Sequence, residues 1–147
     1  MLQPFDLMVS LTMANNLDGL DQFIRTREDV ARAFVNGQLA PLLNIVTRAS
    51  PATFFGPDGD SVQGGIPVLS RYERDACLFE SGSTDIEVLH MGASGDYAFW
   101  VGFQRAKVRL SKSQETVSFN LRVTELFRKE GHEWKLIHRH ADPRREI

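Results

Sequence analysis

The stretch YAFWVGFQRAKVRL, which runs from Tyr97 to Leu110, decides the fold class of this chain. It is rich in the aromatic and β-branched residues that pleated strands favour, and it is longer than an average strand. A short polar loop, Ser111 to Glu115, separates it from a second long run of the same kind, Thr116 to Arg128. A parallel return would need a crossover of about a dozen residues or more, so the two runs are predicted to pair as antiparallel strands.

The same two-residue period continues on both sides of these runs. The alternation from Ile86 to Met91 predicts an earlier strand, and residues 92–96 predict the turn after it. Glu130-Gly131 predicts a turn into a last strand, Trp134 to Ala141. The C-terminal half is therefore predicted as an antiparallel sheet, and because long strands twist, we expect it to curve and leave a concavity beside the helices.

The N-terminal half shows a helical period instead. Apolar residues from Leu20 to Phe34 recur at helical spacing, and Asn36-Gly37 is suited to a left-handed helix end. Leu39 to Val46 predicts a second, shorter helix with Pro41 in its first turn, and Ile66 to Ala76 predicts a third.

A small hairpin is predicted between the second and third helices. Ala52 to Phe55 is a brief β-like run, Gly56 to Asp60 has strong turn chemistry, and Ser61 to Gln63 forms the return. Helices followed by long antiparallel strands indicate an α+β fold.

Composition and charge exclude several classes of protein. The 147 residues are 42% hydrophobic and 24% charged, which is typical of one globular domain. The net charge is -2 and no basic cluster exceeds Arg144-Arg145, so no nucleic-acid partner is predicted. No apolar run approaches the ~18 residues of a membrane span, so no membrane partner is predicted. The single cysteine, Cys77, excludes an internal disulfide framework and favours a cytoplasmic location.

One face of the Tyr97 run is a candidate cavity wall. Trp100 and Gln104 alternate there with small residues, which leave room for a ligand beside the aromatic plate of Trp100. The alternative is that Ala98 and Gly102 simply admit a packed helix.

The next strand presents a polar face and an apolar face. Arg122 and Thr124 share the polar face, which by pattern alone could be an ordinary solvent-facing strand surface. A buried Arg122 would need a partner, which Asp142 or Glu125 could supply. The opposite face carries Phe119, Leu121, Val123 and Phe127.

Two histidines and a tyrosine are further candidates. His138 and His140 stand two apart on the last predicted strand, so both rings project to the same face and either could carry a proton. They amount to half a zinc site, and His90 and His132 fall on other elements, so no metal is predicted. Tyr72 could supply a hydroxyl to a pocket, or lie in the core with a solvated tip.

The order of elements resembles the nuclear transport factor 2-like superfamily, in its SnoaL-like and ketosteroid isomerase-like branch near the calcium/calmodulin-dependent kinase II association domain. The residues that carry the resemblance are Asn36-Gly37, the Phe54 to Gly59 hairpin, Leu121 to Gly131 and Trp134 to Asp142. It spans roughly Leu20 to Pro143, and its most specific part is Arg-x-Thr, then Gly, Trp-Lys and His-x-His.

The resemblance implies a cone-shaped, cystatin-like roll in which N-terminal helices pack on a curved antiparallel sheet around a deep pocket. It favours the pocket for the polar face of Arg122, where this arginine would offer a planar fork to a carboxylate. It also implies a homodimer. Chain length predicts one domain over residues 1–147, of which residues 1–16 are expected to be an N-terminal extension. The resemblance implies no single activity, since this fold hosts isomerases, cyclases, dehydratases and non-catalytic assembly modules.

The chain departs from ketosteroid isomerase at one informative position. That enzyme carries its general-base Asp just before a Pro in the first hairpin, and here Gly56 precedes Pro57. Asp58 and Asp60 lie close by, but Pro-Asp-Gly-Asp is also what a tight turn requires. Steroid isomerisation by that mechanism is therefore not expected.

Two functional hypotheses follow. The first is a small-molecule-binding domain, in which an isomerase, dehydratase or cyclase reaction on a hydrophobic carbonyl or carboxylate compound would need no organic cofactor. His138 or His140 would carry the proton, and the ligand would contact Arg122, Thr124, Trp100, Gln104 and Tyr72. The second is a dimerisation module with a vestigial pocket, which would pair with its own copy through Phe99, Val101, Phe103, Phe119, Leu121 and Val123.

Overall fold

The structure is a computed structural model that describes residues 4–145, with side chains described for residues 19–145. The elements follow in the order α1 (Pro4–Val35), α2 (Ala40–Leu43), β1 (Thr53–Phe55), β2 (Ser61–Gln63), α3 (Gly65–Ala76), β3 (Phe79–Ser94), β4 (Tyr97–Leu110), β5 (Thr116–Glu130) and β6 (Glu133–Pro143). The predicted α+β fold, with helices before long strands, is confirmed.

The six strands form one sheet in the order β2-β1-β6-β5-β4-β3. Every neighbouring pair is antiparallel except β1 and β6, which run parallel. The sheet is therefore mixed, and the expectation of a purely antiparallel sheet was wrong at this one pair. The chain between β1 and β6 is long enough to return in either direction, so the short-turn argument that fixes the other pairs does not apply there.

Helix α1 begins earlier than the sequence pattern indicated. It starts at Pro4, so most of the stretch expected as an N-terminal extension is helical, while residues 1–3 lie outside the described residues. Among the residues that the structure describes, no helix has the length and apolar character needed to cross a membrane.

The end of α1 is fixed as predicted and joins the helix to the sheet. Gly37 has a φ of 77°, and the Gln38 amide donates to the Ala33 carbonyl at 2.9 Å. The Asn36 side chain donates to the Gly82 carbonyl at 3.0 Å and accepts from the Gly82 amide at 3.1 Å. These paired bonds hold the C-terminal end of α1 against β3.

Strand β3 is much longer than the predicted Ile86 to Met91 segment. Its first half contains Gly82 and two serines, so it lacks the apolar alternation that marks a strand, yet its backbone pairs with β4 along its length. A Cβ atom at Gly102 would overlap the Glu87 carbonyl oxygen. Gly102 is therefore small because the backbone of β3 passes close to it. It neither widens a cavity nor makes room for a helix, the two alternatives drawn from the sequence.

The helices cover one face of the sheet, which we call the inner face. Its β5 residues are Leu121, Val123, Glu125 and Phe127, all buried. Phe127 is fully buried and meets Phe23 of α1 edge-to-face, with ring centroids 4.8 Å apart. Burying each large apolar side chain of this kind contributes about 1.5–3 kcal/mol, so this layer is a main source of stability.

The other side of the sheet, the outer face, carries a different residue set from the one predicted for self-association. The β4–β5 register pairs Val101 with Thr124 and Phe103 with Arg122, so Phe99, Val101 and Phe103 lie outside. Leu121 and Val123 are core residues under the helices, and Phe119 also faces the inner side. The single apolar face proposed from sequence was wrong because it joined residues of opposite parity on β4 and β5.

Candidate ligand-binding site

A cavity of about 310 Å³ lies between the helices and the inner face of the sheet. Residues of α1, β1, α3, β3, β4, β5 and β6 contribute to its wall. Its apolar wall includes Phe34, Phe54, Phe79, Val108, Phe119 and Leu121. A concave site with a mainly apolar wall and a few polar groups is the usual form of a small-molecule site.

The aromatic rings around the cavity pack edge-to-face. Tyr72 meets Phe54 with ring centroids 5.3 Å apart and Phe34 with centroids 6.4 Å apart. Phe79 and Phe119 make a similar contact at 6.4 Å. This arrangement is favourable for aromatic rings, and it gives the cavity an aromatic wall that a hydrophobic ligand can contact.

A buried ionic cluster, which we call the Glu125 cluster, stands behind this wall. Arg27 of α1 donates to both Glu125 carboxylate oxygens, each at 2.9 Å. Trp100 Nε1 donates to Oε1 at 2.8 Å, and Arg139 Nη1 donates to Oε2 at 2.9 Å. The carboxylate thus accepts four hydrogen bonds, and the cluster joins α1, β4, β5 and β6 in the core.

The electrostatics of the cluster keep Glu125 ionised. Burial alone would raise the pKa of this carboxyl, but the charges and hydrogen bonds of Arg27 and Arg139 outweigh burial and lower its pKa to about 2. Both oxygens are also fully occupied as acceptors. Glu125 is therefore a structural anion and is poorly suited to act as a general base.

Arg139 connects the cluster to the cavity. Its Nη2 donates to Gln104 Oε1 at 2.7 Å, and Gln104 Nε2 in turn donates to Thr84 Oγ1 at 3.1 Å. Arg139 and Gln104 both line the cavity. Held by Glu125 on one side and Gln104 on the other, the guanidinium is fixed in position before any ligand arrives.

The hydroxyl of Tyr72 is the unusual feature of the wall. Tyr72 is 4% exposed, and among the described residues its hydroxyl has no hydrogen-bond partner. Burial raises the pKa of the phenol, so it is neutral at physiological pH and able to donate a proton in a hydrogen bond. Leaving such a group unsatisfied costs about 1–3 kcal/mol.

Charged residues also surround the part of the cavity beside the β1–β2 hairpin, which we call the mouth. Arg71 bonds to Asp60 and donates to Asp75 through Nε at 2.9 Å, and its guanidinium lies 4.7 Å from the centre of the Phe54 ring. The hydrogen bond from Arg71 lowers the pKa of Asp60. Asp58 and Asp75 both line the cavity. Their carboxylates, at the mouth, are the acidic groups of the cavity wall that can face a ligand.

Three of the residues predicted to contact a ligand lie on this inner side. Trp100 is fully buried and Gln104 is 7% exposed, on the β4 face that was expected to form a cavity wall. Gln104 and Tyr72 line the cavity, whereas Trp100 lies behind it and bonds to Glu125. Their part in ligand binding stays a prediction.

The other four predicted residues lie on the outer face, away from this cavity. Arg122 and Thr124 alternate along β5 with the buried residues Val123 and Glu125, so they point to the outer face. Their partners on β6, Asp142 and His140, point the same way, and so does His138, which pairs with Leu126. Placing Arg122, Thr124, His138 and His140 in a concavity with Trp100 was therefore wrong. The helices bury the apolar side of β5 because that removes more apolar surface from water, so the polar side faces outward.

On the outer face these residues contact one another. Arg122 donates to Asp142 through two bonds, at 2.7 and 2.8 Å, and Asp142 lies 3.6 Å from His140 Nε2. His138 Nδ1 is 2.6 Å from the Thr53 hydroxyl. Partial burial, and then the neighbouring His140, lower the pKa of His138. Arg122 is thus occupied by an internal carboxylate.

The described residues offer little support for a metal site or for a ligand site in the wider polar depression on the surface. No three His, Cys, Asp or Glu side chains among them are grouped to hold a metal ion. A wider depression of about 590 Å³ is lined mainly by polar and charged residues, including Asp85, Arg105 and Lys107. Arg105 is already paired with Asp85 and Glu87 there. The apolar inner cavity is the better ligand site.

The hairpin position compared above with the base of ketosteroid isomerase is crowded by neighbouring side chains here. Gly56 is buried, and a Cβ atom would overlap the Asp60 carboxylate and press on the Phe54 ring. The exclusion of that mechanism drawn from the sequence is consistent with this geometry.

The Glu125 cluster was not found from the sequence, although its members leave a recognisable signal. Arg27 interrupts the apolar stripe of α1 between Ile24 and Val30, and Glu125 interrupts the apolar alternation of β5. A charge inside an apolar pattern is rarely buried unless it is paired. Opposite charges at two such places indicate a buried ion pair.

Comparison with known proteins identifies the family. The SnoaL-like domain family matches residues 21–142. This chain belongs to the SnoaL-like domain family. The matched range contains the whole described cavity wall and the Glu125 cluster. No curated protein sequence matches the chain.

Solved structures with the same fold as this SnoaL-like protein include proteins of the NTF2-like family. A candidate dehydratase of the NTF2-like family from Streptomyces avermitilis has a TM-score of 0.75 and 18% identity, covering 88% of this chain and 98% of the other. A candidate scytalone dehydratase from Novosphingobium aromaticivorans has a TM-score of 0.74 and 13% identity, covering 88% and 87%. The association domain of CaMKII from C. elegans has a TM-score of 0.64 and 11% identity, covering 87% and 98%. At these identities the likeness shows the fold. The predicted SnoaL-like family is confirmed by the family match over residues 21–142, and the predicted NTF2-like fold by these structures.

Proposed function

We propose that this SnoaL-like protein binds a hydrophobic small molecule with a carbonyl or carboxylate oxygen in the inner cavity. The observation that supports this most directly is the Tyr72 hydroxyl, which is buried in an aromatic wall without a partner. A ligand oxygen would accept its hydrogen bond and remove the cost of leaving it unsatisfied. The edge-to-face rings would contact the body of the ligand.

The same wall could support acid–base chemistry of the kind named for two structural relatives as dehydratases. A neutral Tyr72 would donate to a developing oxyanion, and Asp75 at the mouth is the half-buried carboxylate that could accept a proton. The sequence suggested His138 and His140 as proton carriers, but they lie on the outer face. We therefore assign the proton-carrying role to Tyr72 and Asp75.

The first test compares Tyr72→Phe with the unchanged protein, using 2-acetonaphthone as a neutral aromatic ketone. We expect binding to weaken about tenfold, because one hydrogen bond to the ligand is lost. We expect the free protein to be as stable as before or more stable, because the hydroxyl removed was unsatisfied. Two-dimensional NMR titration and thermal unfolding measure the two effects.

Tyr97→Phe is the matched control, since Tyr97 is 59% exposed and lies on the outer face. It should change neither binding nor stability. If Tyr72→Phe binds the ketone as well as the unchanged protein does, the hydroxyl does not contact the ligand. If 2-acetonaphthone does not bind at all, the cavity is not a site for such compounds.

A second candidate function, self-assembly, is favoured by the apolar outer face. Exposed apolar side chains there include Phe55, Leu89, Tyr97 and Leu126, which are between 38% and 59% exposed. They lie on β1, β3, β4 and β5, and partly buried Val101 and Phe103 share this face with them. The same face also carries the polar side chains of β5 and β6 described above. Patches of this kind mark protein interfaces, and one of the structural relatives is an association domain. A homodimer that uses this face leaves the inner cavity free.

Sedimentation at micromolar concentration should therefore give twice the chain mass of 16.6 kDa. Leu126→Asp should shift the protein towards the monomer, because it places a charge in the proposed interface. Ile66→Asp is the control, since Ile66 is 63% exposed but begins α3, away from the outer face. A monomer before any substitution, or equal effects of both substitutions, would refute assembly through this face.

A further inference from the structure

The charges around the inner cavity are unevenly distributed between its inner end and its mouth. In the Glu125 cluster two arginines, Arg27 and Arg139, face one carboxylate, which leaves one positive charge without a counter-charge. Glu125 has 0% side-chain exposure, and the side chains of Arg27 and Arg139 have 5% and 11%. The charge therefore lies in a region of low effective dielectric, where it is weakly screened.

The carboxylates nearest to the cavity do not compensate this charge. Asp60 and Asp75 both bond to Arg71 at the mouth, and Asp75 lies 3.5 Å from Arg74. Asp58 is exposed at the hairpin tip, where water and salt screen its charge. The mouth therefore has a slight acidic excess in solvent, while the inner end keeps a buried positive excess.

Arg139 presents this excess to the cavity. It lines the wall together with Tyr72 and Gln104, and its two hydrogen bonds to Glu125 and Gln104 use one N–H of each terminal nitrogen. A guanidinium has five N–H donors, so the group can bond a further acceptor without giving up either partner. A buried positive charge without a counter-ion is costly, and an anionic ligand would supply that counter-ion.

We propose that the ligand of this cavity is an aromatic carboxylate, bound with its carboxylate at Arg139 and Tyr72 and its ring between the phenylalanines. This inference rests on the proposed function and makes it more specific, because a neutral carbonyl compound would satisfy Tyr72 but leave the charge of the Glu125 cluster uncompensated. In the bound ligand the carboxylate lies at the basic inner end and the ring lies towards the acidic mouth. An aromatic amine in the same orientation would place a second positive charge beside Arg139.

The test compares 2-naphthoate with 2-acetonaphthone, which have the same ring and differ in charge. We expect 2-naphthoate to bind at least about tenfold more tightly at neutral pH, which corresponds to about 1.4 kcal/mol. Raising the salt concentration should leave most of this preference, because the charge that causes it is buried. Two-dimensional NMR titration of isotope-labelled protein gives both dissociation constants and shows which residues respond.

Arg139→Gln tests the assignment, and Arg74→Gln is its control. Both substitutions remove one positive charge from the cavity lining, but the Arg74 side chain is 68% exposed at the mouth. Arg139→Gln should remove the preference for the carboxylate, whereas Arg74→Gln should retain it. If Arg139→Gln does not fold, the two ligands and the salt series on the unchanged protein still decide the question.

Each outcome has a defined meaning. Equal binding of the two ligands, or a preference that disappears with salt, overturns the carboxylate assignment while the proposed function stands. A preference that survives in Arg139→Gln overturns the role of Arg139. If neither ligand binds, the proposed function fails, and this inference fails with it.

Discussion

Glu125→Gln is expected to lower the free energy of unfolding by about 3–5 kcal/mol, the usual cost of removing one partner from a buried ion pair. The substitution keeps the size of the side chain but removes the charge that holds Arg27 and Arg139 together. It also puts an amide NH₂ group in place of one carboxylate oxygen, facing arginine donors. Chemical denaturation measures the change.

Asp142→Asn is the matched control for this substitution. Asp142 also accepts two bonds from an arginine, Arg122, but the Arg122 side chain is 64% exposed. Water solvates that pair whether or not it forms, so we expect little change in stability. Similar losses from the two carboxylates would mean that Glu125 is not buried as described.

The same carboxylate predicts a dependence of stability on pH. Its pKa is lowered in the folded protein, so its contribution is complete above the unfolded pKa and is lost as pH falls towards the folded value of about 2. The unchanged protein should therefore lose stability progressively as pH falls below the ordinary range of a glutamate. Glu125→Gln should lack this component of the acid dependence.

Trp134→Ala is the second substitution expected to have a large effect, again a loss of about 3–5 kcal/mol. Trp134 is 8% exposed and belongs to the core cluster at the start of β6. Lys129 Nζ lies 5.1 Å from the centre of its ring, across the β5–β6 hairpin. Removing the indole leaves a cavity between this hairpin and the rest of the core, which thermal unfolding measures.

His132→Ala is the control, because His132 lies in the exposed turn of the same hairpin. It should change stability by much less than Trp134→Ala. An equally small effect of Trp134→Ala would indicate that Trp134 is exposed and that the register of β6 is shifted by one residue.

Much of the fold could be predicted because it rests on local signals. Strand alternation predicts the limits of β4, turn chemistry predicts the two short strands of the hairpin, and a left-handed glycine predicts the end of α1. The first half of β3 could not be predicted, because its serines and Gly82 carry no strand signal. That segment is a strand because β4 supplies backbone partners along its length.

The site was harder to predict because it depends on which face of β5 meets the helices. The sequence shows that Arg122 and Leu121 face opposite ways, but parity alone does not show which side is inner. The resemblance favoured the polar side, whereas burial of apolar surface places Leu121 inside. The Glu125 cluster joins four elements, and contacts between residues so distant in sequence produce no local pattern.

The most direct test of the account is a crystal structure of the protein with 2-naphthoate. The account predicts the naphthalene ring between Phe34, Phe54 and Phe119, with its carboxylate within hydrogen-bond distance of the Tyr72 hydroxyl and Arg139. Density for the ligand on the outer face beside His138 and His140, with the inner cavity empty of it, would contradict the account.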